Sequence, residues 1–162
     1  MLKRIALLSC CLAITAPVLA HGASRGEAKV TLAGKTVAID YGRPNLEGRD
    51  MLGKAETGKA WRMGADAPTT LKTDADLSFG STVVPKGDYV LTATKVSDGQ
   101  WTLNVRKPGA GESAPVADVP LVSSTLSSSV ETFTIELRGE KSNGEFEMKW
   151  GTASLKAPFT AK

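Results

Sequence analysis

The sequence predicts an all-β protein: a single antiparallel β-sandwich with at most one short helix, a jelly roll or eight-stranded barrel being the alternative. Two observations carry this. Apolar and polar residues alternate with period two in run after run, and the segments between the runs hold the Gly, Asn, Asp and Pro of tight turns. Successive strand residues point to opposite sides, so such alternation describes strands covered on one face and wet on the other.

Residues 1–20 have the tripartite form of a secretory signal: Lys3 and Arg4, the apolar run Ile5 to Ile14, then Thr15 to Ala20. Cleavage is expected after Ala20, leaving 142 of the 162 residues. The apolar run falls short of the ~20 residues that span a bilayer, so no membrane span is expected. Leu7 to Cys10 loosely resembles a lipoprotein processing box, but the apolar run before it is shorter than the roughly 7 to 15 residues of a signal core. Cleavage removes Cys10 and Cys11, the only cysteines, which excludes a disulfide scaffold, a thiol nucleophile and a Cys-ligated metal in a mature protein expected to be periplasmic or secreted. His21 to Glu27 reads as a flexible leader, and residues 28–162 as the single sandwich domain.

Along that domain, Val37, Ile39 and Tyr41 share one face of the run Thr36 to Tyr41. The pattern recurs in Tyr89, Leu91, Ala93; in Trp101, Leu103, Val105; in Phe133, Ile135, Leu137; in Phe146, Met148, Trp150; and in Leu155, Ala157, Phe159. Burying each large apolar side chain contributes about 1.5–3 kcal/mol. Turns are expected at Pro85 to Asp88, at Asp98 and Gly99, and at Asn143 and Gly144. Two regions break the pattern. Asn45 to Lys59 could hold one short helix, with Asp50 as its cap and Gly48, Gly53 and Gly58 limiting it to a turn or two. Lys107 to Ser129, rich in Pro, Gly, Ala and Ser, reads as a long surface connection with one strand around Val116 to Val122.

Charge and composition exclude several functions. Without Lys3 and Arg4 the chain has 18 basic and 17 acidic residues, a balance that predicts no nucleic-acid partner and no anionic membrane surface. Nine aromatics and irregular strand spacing argue against a membrane barrel. His21 is the sole histidine and would be the mature N-terminus; a copper brace needs a second imidazole, and the Ser/His/Asp triad and the usual zinc sites are also removed. No cofactor or metal is expected.

What remains is Tyr41 to Asp66, dense in Gly, Arg and acids. Asp40, Glu47, Asp50 and Asp66 could supply a glycosidase-like carboxylate pair, given two of them at about 5–9.5 Å across a cleft. The ordinary reading is that these acids pair with Arg43, Arg49 and Arg62. A guanidinium beside Trp61 or Tyr41 also offers a planar fork next to an aromatic platform, suited to an anionic or sugar-like ligand, and Gly42, Gly48 and Gly64 would allow close backbone approach.

These blocks carry a resemblance. Tyr41-Gly42-Arg43-Pro44, then Gly48-Arg49, Trp61-Arg62, Gly64-Ala65-Asp66, Thr69-Thr70, Pro85 to Tyr89 and Trp101 to Asn104 resemble the exported bacterial family known as domain of unknown function 2911. The likeness runs from about Ala28 to Phe159. The family typically has Thr where this chain has Met63, and Asn where it has Asp66. The resemblance implies an all-β exported domain and supplies no activity, substrate or cofactor. The expectation is a non-enzymatic envelope module whose Tyr41 to Asp66 loop contacts a small polar or anionic ligand, an envelope glycan or a protein partner. Its candidate site residues are Tyr41, Arg43, Arg49, Trp61, Arg62 and Asp66. The alternatives are a carbohydrate-active hydrolase using the carboxylate pair, and a structural protein whose arginines only hold the loop.

Overall fold

A computed structural model of the chain describes residues 23–110 and 115–162. The expected signal peptide, its cysteines and His21 lie outside the described residues. Those that are described form ten strands: β1 (Ser24–Leu32), β2 (Lys35–Arg43), β3 (Ala60–Trp61), β4 (Thr69–Thr73), β5 (Leu77–Phe79), β6 (Thr82–Val84), β7 (Gly87–Ser97), β8 (Gln100–Arg106), β9 (Ala117–Glu140) and β10 (Asn143–Ala161). All pair antiparallel in one sheet of order β1-β2-β4-β7-β8-β9-β10-β5-β6, with β3 added to β7. The all-β expectation holds. The sheet is not closed into a barrel; it folds over itself, so that Tyr41 of β2 reaches β9 with its hydroxyl donating to the Ile135 carbonyl at 3.2 Å.

The alternating sets fill the space between the layers. Val37, Ile39, Tyr89, Leu91, Leu103, Val105, Phe133, Ile135, Phe146 and Met148 are all buried. β4 and the first half of β7 bury every second residue, as the pleat requires. β4 was not legible as a strand because its inward positions, Thr69, Leu71 and Thr73, are mostly hydroxylated, yet all three are buried. Thr69 manages this by donating to the Met63 carbonyl at 2.5 Å.

Four expectations are corrected. Ser24 to Glu27, read as part of a flexible leader, are already in β1 and pair in register with Asp40 to Arg43. No helix forms among the described residues: Asp50 does cap, its Oδ1 accepting the Gly53 amide at 2.8 Å, but the segment stops at turns, as Gly48, Gly53 and Gly58 would enforce. The β9–β10 turn is Lys141 and Ser142, with Lys141 at φ 58°, while Asn143 and Gly144 already pair with Glu140 and Gly139. Most consequential, the Ser-rich stretch is strand: β9 runs 24 residues, far beyond the usual 3–10.

The β9–β10 hairpin is long enough to bend in its middle. The register slips there, with Ala153 opposite Thr125 and Gly151 opposite Val130, and Gly151 takes φ 61°. Beyond the bend β10 comes back over its own first half: the Ala161 amide donates to the Ser142 carbonyl at 2.8 Å, and the Phe159 ring lies where a Cβ on Gly144 would be.

Candidate functional site

After β2 the chain stays close to β9. Asn45 bridges Thr132, the Leu46 amide donates to the Glu131 carbonyl at 2.9 Å, and Thr132 Oγ1 donates to Asn45 Oδ1 at 2.7 Å. On the other side of Arg43 the turn at 62–66 lies directly on the β2 backbone. A Cβ on Gly42 would collide with the Ala65 carbonyl oxygen, and one on Gly64 would sit 2.7 Å from the Gly42 oxygen. Gly64 also holds φ 134°, a conformation that L side chains rarely adopt. The glycines therefore serve approach of backbone to backbone.

Between these two segments opens a polar cleft of about 620 Å³, within the range of small-molecule sites. Its walls are Ala23 and Ser24 from the start of β1, Arg43 to Asn45, Glu47 and Arg49, Ala65 and Asp66, and Thr132. Three predicted site residues, Arg43, Arg49 and Asp66, meet in it. The other three do not line it.

Tyr41 belongs to the core, and Trp61, half-buried, packs against it. Tyr41 is 3% exposed and meets Phe133 edge-on at 5.7 Å; Trp61 stacks on Trp150 at 5.9 Å and meets Phe133 at 5.4 Å. Among the described residues neither ring has a guanidinium over its face. Arg62 donates to the Asp66 carbonyl oxygen at 3.3 Å and so braces its own turn. Met63 is fully buried with φ 50° and its carbonyl takes Thr69.

The expected pairing of the acids with Arg43, Arg49 and Arg62 holds at one place. Arg49 pairs with Glu47 at 3.2 Å and donates through Nε to the Leu46 carbonyl at 3.1 Å. Asp40 pairs instead with Arg25, diagonally across the β1–β2 ladder, and lines a separate hollow beside Lys72 and Tyr89. Asp50 is used on its turn. Asp66 Oδ2 accepts the Ala23 amide at 2.9 Å, with Asp66 itself at φ 60°.

Arg43 is left over. Its stem packs across Gly26, where a Cβ would sit 2.5 Å from the Arg43 Cδ. Its Nε is buried, and the guanidinium has no hydrogen bond or ion pair among the described residues. A buried donor left unmade costs about 1–3 kcal/mol, and among the described residues this is the one buried side-chain N or O atom without a partner.

Of the four candidate carboxylates, only Glu47 and Asp66 share the cleft. The Glu47 side chain is 73% exposed and already bound to Arg49. No group of three or more His, Cys, Asp or Glu side chains among the described residues could hold a metal ion. No helix among them is long and apolar enough to cross a membrane.

Sequence reasoning missed Ala23, Ser24, Asn45 and Thr132. Asn45 directly follows the Tyr41 to Pro44 block and was within reach, whereas Thr132 comes to the cleft only through the pairing with β9.

Fold and cleft together define the class: an all-β domain built from one sheet folded over itself, with a polar cleft where the end of β2 meets β9 and the 62–66 turn. The chain belongs to the family described as Protein of unknown function (DUF2911), whose model matches residues 23–159. No curated protein and no solved structure matches it.

Proposed function

We propose that this is an exported, non-enzymatic module of the cell envelope, periplasmic or secreted, that binds a small polar or anionic ligand in the Arg43 cleft. The observation that carries the reading is the Arg43 guanidinium, which lines the cleft without a partner among the described residues. An arginine fork recognises carboxylate or phosphate oxygens through two parallel N–H donors, and these are the strong, charge-assisted hydrogen bonds. Arg49, Asn45 and Thr132 add polar groups around it, as expected of a site that orients a small ligand. Envelope glycans with acidic or hydroxyl-rich sugars fit the same donors.

Thermal melts against carboxylates, inorganic phosphate and envelope sugars test the reading. A ligand at a hundredfold excess over its Kd stabilises the fold by about 2.7 kcal/mol, and Arg43→Gln should remove that gain. If no compound raises the melting temperature, or if the variant is stabilised equally, the reading falls. The same sugars, incubated and checked for cleavage, should be recovered intact.

A further inference from the structure

We infer that the cleft takes a zwitterion, a free α-amino acid or short peptide whose carboxylate lies on Arg43 and whose ammonium lies on Asp66. The inference rests on the reading of the cleft as a ligand site and narrows its ligand class. Four formal charges line the cleft, two of each sign: Arg43, Arg49, Glu47 and Asp66. Arg49 and Glu47 neutralise each other at 3.2 Å. Arg43 and Asp66 remain, and although they share the cleft they form no ion pair with one another.

The Asp66 carboxylate bonds only the Ala23 amide among the described residues, so one oxygen is committed and the other has no ion pair with any of them. Its backbone is held at φ 60° by a turn that rests on Gly42, and Arg62 braces the same residue through its carbonyl. The cleft thus presents a positive group and a negative group, each without an opposite charge in contact among the described residues. A simple anion would satisfy Arg43 and be repelled by Asp66. A polyanion would gain nothing from the field of a cleft whose charges cancel. A ligand carrying both charges matches both the half-buried Arg43 and the exposed Asp66, and so complements the cleft better than either charge alone.

The test is calorimetry on the purified protein at low ionic strength and pH 7. The probes are L- and D-amino acids and dipeptides, the N-acetyl and amide derivatives of the tightest of them, and acetate and inorganic phosphate. The free zwitterion should bind on the order of tenfold or more tighter than either blocked form, since each block removes one charge-assisted contact. Asp66→Asn keeps an acceptor for the Ala23 amide and suits the same left-handed backbone, so it should erase the penalty for N-acetylation alone. Arg43→Gln should erase the penalty for amidation alone. Blocked forms that bind as tightly as the free zwitterion to the unmodified protein would overturn the inference, whatever the variants do. Binding of acetate or phosphate with no amino acid or dipeptide bound would also overturn it, while leaving Arg43 as an anion site. Absence of all binding would overturn the inference and leave the cleft reading to the melts against envelope sugars.

Discussion

Gly42 and Arg43 are adjacent yet constrained in opposite ways, one by a contact with no slack and the other by a contact that is missing. Because a Cβ on Gly42 runs into the Ala65 carbonyl, which is backbone and has little room to move, Gly42→Ala should cost about 3 kcal/mol, the upper end of overpacking. Gly48 has open space around its Cβ position and only a φ of 74° against it, so Gly48→Ala should cost about 1–2 kcal/mol. Denaturant midpoints of the two variants decide the point; equal losses would mean that the Gly42 contact can relax. Arg43→Met should leave stability within about 1 kcal/mol of the parent, because it keeps the stem over Gly26 and removes only an unsatisfied guanidinium. A loss of ~3–5 kcal/mol, as for a broken buried ion pair, would mean that Arg43 has a protein partner after all.

The bent β9–β10 hairpin is the element whose stability is most open to pH. Glu136 and Glu147 are register partners across it, an arrangement that like charges alone would oppose. Cations resolve the conflict. Arg138 reaches Glu136 and lies 2.9 Å from Glu147, Lys149 reaches Glu136, and from beyond the bend Lys156 approaches Glu147 at 3.5 Å while Ser154 donates to it at 2.7 Å. Burial pushes the Glu147 carboxyl up, but the Ser154 hydrogen bond and the charges of Lys149, Lys156 and Arg138 together outweigh it and hold the carboxyl below its ordinary value of 4.5. A carboxyl depressed in the folded state adds stability above its unfolded pKa, and that stability is lost as pH falls through the folded value. The protein should therefore lose melting temperature below about pH 4.5 more steeply than Glu147→Gln does. At pH 7 the variant should be less stable by about 1–2 kcal/mol, since the cations it frees can hydrate. Parallel melting curves from pH 3 to 7 for the two proteins would show that Glu147 is not the clamp.

For the whole molecule, the proposal of export is checked by mass spectrometry of the envelope and medium fractions, where the chain should begin at His21 and carry no lipid. A mass that includes residues 1–20 would contradict it. The strands were legible because period-two alternation is a local property: Phe146, Met148 and Trp150 face one way whatever they pack against, and all three are buried. The long course of β9 was not legible, since serine and threonine say little of conformation until a partner supplies the hydrogen bonds, and that partner is β10. Half of the candidate site was legible for a related reason. Arg43, Arg49 and Asp66 stood out by residue type, but whether each was bound or free depended on residues distant in the chain. Arg25 took Asp40 across the β1–β2 ladder, Ala23 took Asp66, and the aromatic core took Tyr41 and Trp61. The sequence by itself determined an all-β domain and the segment that carries its unusual residues, because alternation and turn chemistry act over a few neighbours. Which arginine stands without a partner among the described residues was set by the fold, because ion pairs, close backbone contacts and cleft walls are made between segments that the fold, and not the chain order, brings together.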